Sequence, residues 1–138
     1  MDANQTFNFE LVSPEKILVS EPAWQVTIPG EEGYFGVRAG HMSLMAAIRP
    51  GVVEVVAKQG DAPKKIFISG GFADVTASNC TILAEQAMNV SELNAVAIEQ
   101  DIANLNEEIK STSDSIQKTS LHKKLSLAMI KLNAAKIG

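Results

Sequence analysis

Residues 28–44 read Ile-Pro-Gly-Glu-Glu-Gly-Tyr-Phe-Gly-Val-Arg-Ala-Gly-His-Met-Ser-Leu, followed further on by Arg49-Pro50-Gly51-Val52-Val53 and Ser69-Gly70-Gly71-Phe72. Glycines and prolines punctuate short apolar runs here, which is the pattern of strands joined by tight turns. No nucleophile in the stretch is paired with a base. It reads as a shaped protein surface.

Outward from this stretch the same period of two continues from Phe7 to about Ala87. Phe7, Phe9 and Leu11 alternate with Asn8 and Glu10, and Trp24, Val26 and Ile28 alternate with Gln25 and Thr27. The runs 51–56, 65–68 and 81–83 add further β-rich segments. Strands with one buried face alternate in this way. Their number and spacing predict a flattened sandwich of antiparallel sheets. No strand feeds a helix, so the nucleotide sites of doubly wound folds have no place here.

After Met88 the pattern changes. From Asn89 to Ile137 there is neither Gly nor Pro. Ala95, Ile98, Ile102, Leu105 and Ile109 recur at helical spacing, as do Leu121, Leu125, Ala128, Leu132 and Ala135. Ser91 is the expected cap of the first helix, and Ser111-Thr112-Ser113-Asp114-Ser115 the expected break. The expected organisation is therefore α+β, with a sandwich over residues 1–87 and an αα-hairpin over residues 88–138. Acidic residues on the first helix (Glu92, Glu99, Asp101, Glu107, Glu108) face a basic second helix (Lys118, Lys123, Lys124, Lys131, Lys136) in that pairing.

Composition narrows the function. A net charge of -4 and an aromatic content of 5% argue against nucleic-acid binding, which relies on basic grooves and stacking platforms. The single cysteine, Cys80, leaves no disulfide framework and too few thiols for a structural zinc site, and fits a reducing compartment. No apolar run approaches the ~20 residues that span a bilayer, and the N-terminus resembles neither a secretion signal nor a transit peptide. The expected protein is soluble.

Residue by residue, little chemistry can be assembled. His41 has only Ser43 as a neighbouring nucleophile, and a Ser/His pair would still need a third orienting group and an oxyanion hole. Gly30, Gly33 and Gly36 lack the Lys-Ser/Thr of a phosphate cradle, and Glu31-Glu32 lacks a third metal ligand. Met42 and Met45 suit either an adaptable contact patch or core filling. No catalytic residue, metal or cofactor is expected.

The ordered motifs resemble the epsilon subunit family of the bacterial F-type ATP synthase, the counterpart of the mitochondrial delta subunit. The matching segments are 30–37, Ala39-Gly40-His41, Leu44, 49–53, Ser69-Gly70-Gly71-Phe72-Ala73-Asp74-Val75 and Thr81-Ile82-Leu83-Ala84-Glu85-Gln86-Ala87. Ala39 and Arg38 depart from the usual residues, Arg38 standing where an apolar residue or Tyr is common.

The resemblance implies a β-sandwich and helical hairpin in a non-catalytic rotor subunit of the central stalk, coupling the gamma subunit and the c-ring during ATP synthesis. Its place would be peripheral, on the cytoplasmic face of the bacterial inner membrane. Carried over, the loop from Gly30 to Met42 faces the rotor, with Glu31, Tyr34, His41 and Met42 as contacts. Lys118, Lys123, Lys124 and Lys131 are the candidate latch to an acidic segment of the beta subunit in the alpha/beta head, through which the hairpin would inhibit ATP hydrolysis. ATP-sensing members carry Ile/Leu-Asp-x-x-Arg-Ala where this chain has Leu93-Asn94-Ala95-Val96-Ala97-Ile98, so weak or absent ATP binding is expected. The alternative is a free-standing nucleotide-sensing or adaptor module.

Overall fold

The computed structural model describes residues 5–137. The chain divides into two compact units, Met1–Asn89 and Val90–Gly138.

The first unit is built from strands β1 (Phe7–Val12), β2 (Ile17–Ala23), β3 (Gln25–Gly30), β4 (Gly33–Val37), β5 (Leu44–Ile48), β6 (Gly51–Val56), β7 (Lys64–Ile68), β8 (Gly71–Val75), β9 (Asn79–Ala84) and β10 (Ala87–Asn89). Hydrogen bonding runs in the order β10-β7-β6-β3-β5-β8-β9-β1-β2, with β4 against β3. The corner is β3: residues Gln25–Thr27 pair with β6, whereas Gly30 alone pairs with Ile48 of β5. Side chains from both ends of this path meet in one core, with Val26, Val53, Val55 and Ile66 in the same cluster as Phe9, Leu11, Val75 and Ile82. That core is apolar throughout, and no polar or charged residue is buried among the described residues. Desolvated polar groups without partners are costly, which explains the composition.

Two sequence expectations need correction. The sandwich is not wholly antiparallel, because β1 lies parallel to β9, with Phe9 opposite Cys80 and Leu11 opposite Ile82. Such a pair needs a long crossover, here supplied by the intervening strands. The segment from Gly30 to Met42 is also not one loop: Gly33–Val37 forms β4 and pairs with β3 from Val26↔Val37 to Gly30↔Gly33. Its glycines and an exposed Tyr34 hide the alternation.

Gly71 is a backbone requirement. Its φ is +150°, and a Cβ there would overlap the Leu83 carbonyl oxygen of β9. Glycine lets β8 and β9 close at this point.

The second unit opens with a 3-10 turn (Val90–Glu92), followed by α1 (Ala95–Ser111) and α2 (Ser115–Ile137). Ser91 lies in the 3-10 turn, and the N-cap is Asn94, whose Oδ1 accepts from the Ala97 N–H at 3.2 Å. Asp114 caps the start of α2 from the turn before it, its carboxylate accepting from the Ile116 N–H at 2.9 Å and its carbonyl from the Lys118 N–H at 2.9 Å. The connection is therefore a capped turn of residues 112–114, shorter than the expected break. Both predicted stripes face inward, and Leu127, Ile130 and Ala134 widen the covered surface of α2. The expected charge pairing between the helices is slight. Lys136–Glu99, at 3.9 Å between exposed side chains, is the ion pair that joins α1 to α2 among the described residues, and such a pair contributes well under ~1 kcal/mol.

Candidate functional site

Strand alternation sends every second side chain outward, and on part of the sandwich those outward side chains are apolar. The registers Ala47↔Phe72, Phe72↔Leu83, Val12↔Leu83 and Val12↔Ile17 line up one cross-strand row over β5, β8, β9, β1 and β2. Three of its members are large and open, Phe72 at 57% exposed, Leu83 at 54% and Ile17 at 62%, and Val12 and Ala47 are half-buried between them. Met45, on the next row of β5, is also exposed. A groove of about 690 Å³ follows the row, bounded by Glu31, Arg49, Ser69 and Glu85. On the other flank the outward residues are Asp74, Thr81 and Glu10, aligned by register.

An apolar stripe with a polar rim is the anatomy of a protein interface. Sequence reasoning missed this stripe because its residues come from four distant segments. The signal was present at Ile82-Leu83-Ala84, three consecutive apolar residues of which a strand can bury only alternate ones.

The predicted contact residues lie at the β3–β4 tip and beyond β4. Glu31 and Glu32 are exposed at the turn, and Gly33 takes φ +134° there. Tyr34 is half-exposed, with the Arg49 guanidinium 4.8 Å from its ring centroid. His41 is partly covered, and its Nδ1 lies 2.6 Å from the Met42 carbonyl oxygen. Met42 is 83% exposed, so it belongs to a surface patch and not to the core. Glu31 lines both the main groove and a second hollow of about 330 Å³ with Leu44 and Met45, which brings the tip and the methionine patch together. Arg38 is turned back on its own chain, its guanidinium 4.2 Å from the Trp24 ring centroid, a cation–π distance.

No group of three or more His, Cys, Asp or Glu residues able to hold a metal occurs among the described residues. Cys80 is buried in the core, and its thiol is pushed up from 9.0 to about 12, by burial first and by the Asp74 carboxylate second. A thiol held neutral in this way is chemically quiet. On the helical unit, Lys118, Lys123 and Lys124 are exposed and Lys131 half-buried, and none of these lysines is in an ion pair among the described residues. They share one helix but not the sandwich surface.

A β-sandwich with an exposed apolar stripe, a polar tip and an appended helical pair has the build of a binding subunit in a larger assembly. A family model described as the β-sandwich domain of the ATP synthase delta/epsilon chain matches residues 6–90. The chain is 40% identical over 129 residues to the ATP synthase epsilon chain of Rhodospirillum centenum, covering 91% of this chain and 88% of that one. With the epsilon chain of Sinorhizobium medicae it shares 44% identity over 110 residues, 80% of this chain and 81% of the other.

The chain belongs to the ATP synthase delta/epsilon family. Its function is that of a non-catalytic rotor subunit of the ATP synthase central stalk. Among solved structures, its fold is similar to a chain of the Euglena gracilis mitochondrial ATP synthase, OSCP/F1/c-ring, with a TM-score of 0.79 at 22% identity over 100% of this chain and 84% of that one. A chain of the Tetrahymena thermophila central stalk/c-ring gives a TM-score of 0.69 at 15% identity, over 97% and 99% of the two chains.

Proposed function

We propose that this subunit joins the gamma subunit to the c-ring, with the apolar stripe seated on gamma and the β3–β4 tip meeting the ring. The stripe carries the proposal. A contact that must transmit torque without slipping is permanent, and permanent interfaces bury apolar surface with good packing. Phe72, Leu83, Val12 and Ile17 supply that surface on a rigid sheet. The tip offers Glu31, Tyr34, His41 and Met42, a polar and adaptable set suited to the loops of a second partner. Torque then passes through the sandwich as a stiff body, and no bond is made or broken in it.

The helical unit adds a candidate restraint. Lys118, Lys123, Lys124 and Lys131 would meet an acidic segment of the beta subunit in the alpha/beta head and slow ATP hydrolysis. Lysines provide point charges without the bidentate fork of arginine, so the latch is weak and salt-sensitive. ATP itself is a poor ligand for this unit. The Asn94 side-chain oxygen is already engaged as the helix cap, and Ala97, standing where the ATP-sensing motif has its arginine, offers nothing to a phosphate. The location that follows is peripheral, on the cytoplasmic face of the bacterial inner membrane. Among the described residues no helix is long and apolar enough to cross a membrane.

The test is reconstitution of an alpha/beta/gamma complex lacking this subunit, with the full chain, the chain ended after Asn89, and Leu83→Asp. The full and shortened chains are expected to bind and Leu83→Asp to fail. Hydrolysis should be slower with the full chain than with the shortened one, and added salt should remove the difference. Failure of both unsubstituted forms to bind would refute the assignment of partner, and equal hydrolysis would remove the latch.

A further inference from the structure

The β3–β4 tip presents a physical difficulty. Its turn residues Glu31, Glu32 and Gly33 are exposed, Gly33 takes φ +134° with nothing packed where a Cβ would stand, and a 3.3 Å bond from the Glu31 N–H to the Ala47 carbonyl links the turn to β5. Such a turn gains little from burial, and an unfixed tip loses conformational entropy whenever a partner grips it.

Arg49 counters this. Its backbone N–H donates to the Pro29 carbonyl at 3.0 Å, its Nε donates to the Gly30 carbonyl at 3.1 Å, and its guanidinium lies 4.8 Å from the Tyr34 ring centroid. One residue therefore holds β3 through Pro29 and Gly30 and β4 through Tyr34. The two residues after it complete the cradle. Pro50 fixes the backbone direction, and Gly51 leaves room for the tip: a Cβ there would come within 3.0 Å of the Pro29 Cβ and 3.2 Å of the Tyr34 hydroxyl. The Arg49-Pro50-Gly51 motif thus has a mechanical purpose separate from the stripe.

We propose that Arg49 is the positioning residue for the partner-facing tip, pre-ordering Glu31 and Tyr34 so that the partner need not order them on binding. The inference rests on the function proposed above. Lysine would not substitute, because an ammonium cannot lie flat on the Tyr34 ring while donating along the fixed Nε direction.

The experiment uses the full chain carrying Arg49→Met or Arg49→Lys. Two quantities are read: amide hydrogen exchange, and affinity for a gamma/c-ring complex. Both variants are expected to exchange faster at residues 31–34 with β8 and β9 unchanged, and to bind about tenfold more weakly, the order of one charge-assisted hydrogen bond plus an exposed cation–π contact. Unchanged exchange at the tip overturns the proposal, as does faster exchange with undiminished affinity. Wild-type affinity in the lysine variant would make Arg49 a plain charge contact and overturn it equally. Faster exchange through the whole sandwich would make it a general stabiliser. Failure of the unsubstituted chain to bind would remove the function proposed above, a result distinct from a loss confined to the variants.

Discussion

Phe72→Ser tests the stripe quantitatively. A phenylalanine side chain buries roughly 150–250 Å² when fully covered, and Phe72 is 57% exposed in the free subunit, so roughly 110 Å² remains for a partner to cover. At about 25 cal/mol per Å² this is worth ~2.8 kcal/mol of binding, or about a hundredfold in Kd. The portion already covered by the sheet contributes up to ~2 kcal/mol to folding by the same coefficient. The two effects are measured separately. Calorimetric unfolding gives the stability loss, and titration onto the gamma/c-ring complex well below the melting temperature gives the affinity. Phe72→Leu, which keeps most of the apolar area, should recover more than half of the lost binding free energy. A Kd within threefold of the unsubstituted chain, with the Phe72→Ser protein folded, would refute the assignment of the stripe to the interface.

Other outcomes follow from the same geometry. Gly71→Ala combines a positive φ with overlap on the Leu83 carbonyl oxygen, and should cost more than ~3 kcal/mol, since the backbone itself must shift; chemical denaturation reads this, and a loss below ~1 kcal/mol would contradict the β8–β9 closure. Cys80, with its thiol raised from 9.0 to about 12, should resist alkylation at pH 8 until the protein unfolds. The folded state retains that proton where the unfolded chain releases it, so stability is full below pH 9.0 and declines towards about pH 12; the slope is about 1.4 kcal/mol per pH unit beyond that of Cys80→Ala. Equal alkaline slopes in the two proteins would refute the burial argument. Asn94→Ala removes the α1 cap and should lower helical-unit stability by about 1 kcal/mol, seen as faster amide exchange at the Ala97 N–H.

How much was legible depended on how local each pattern was. β1 and β6 alternate cleanly, with Phe7, Phe9 and Leu11 or Gly51, Val53 and Val55 inward, and period two reveals such strands directly. β2 carries Pro22 and the adjacent apolar pair Leu18-Val19, which break the alternation. It is tolerated as a strand because it pairs on one side only, with β1. The parallel β1–β9 pairing joins residues about seventy positions apart, and no local rule specifies it. At the candidate site, Glu31 and Tyr34 were reached through the family resemblance and not through any local pattern of their own. The stripe was not, because it exists only once β5, β8, β9, β1 and β2 are set side by side. Asn94 was visible as a polar residue near a helix start, but the 3-10 turn before it displaced the cap from Ser91.

The division of labour proposed for the two units has an energetic basis. In the sandwich, residues from nearly every strand are sealed from solvent, and opening any part of it would expose the shared core. The helical unit seals fully only Val90, Ile98 and Ala134 among the described residues, and its helices rely on caps and partly covered stripes. Helices of this kind are marginal alone, and elements with few buried contacts lie at the low end of local stability. An acidic strip meeting Lys118, Lys123, Lys124 and Lys131 gains no more than ~1 kcal/mol per exposed pair, a total of a few kcal/mol. That total is enough to shift an equilibrium between near-balanced states by several hundredfold. It would be too small to rearrange the sandwich. A weak, salt-sensitive latch could therefore act on the hairpin without disturbing the rotor contacts proposed for the stripe and the tip.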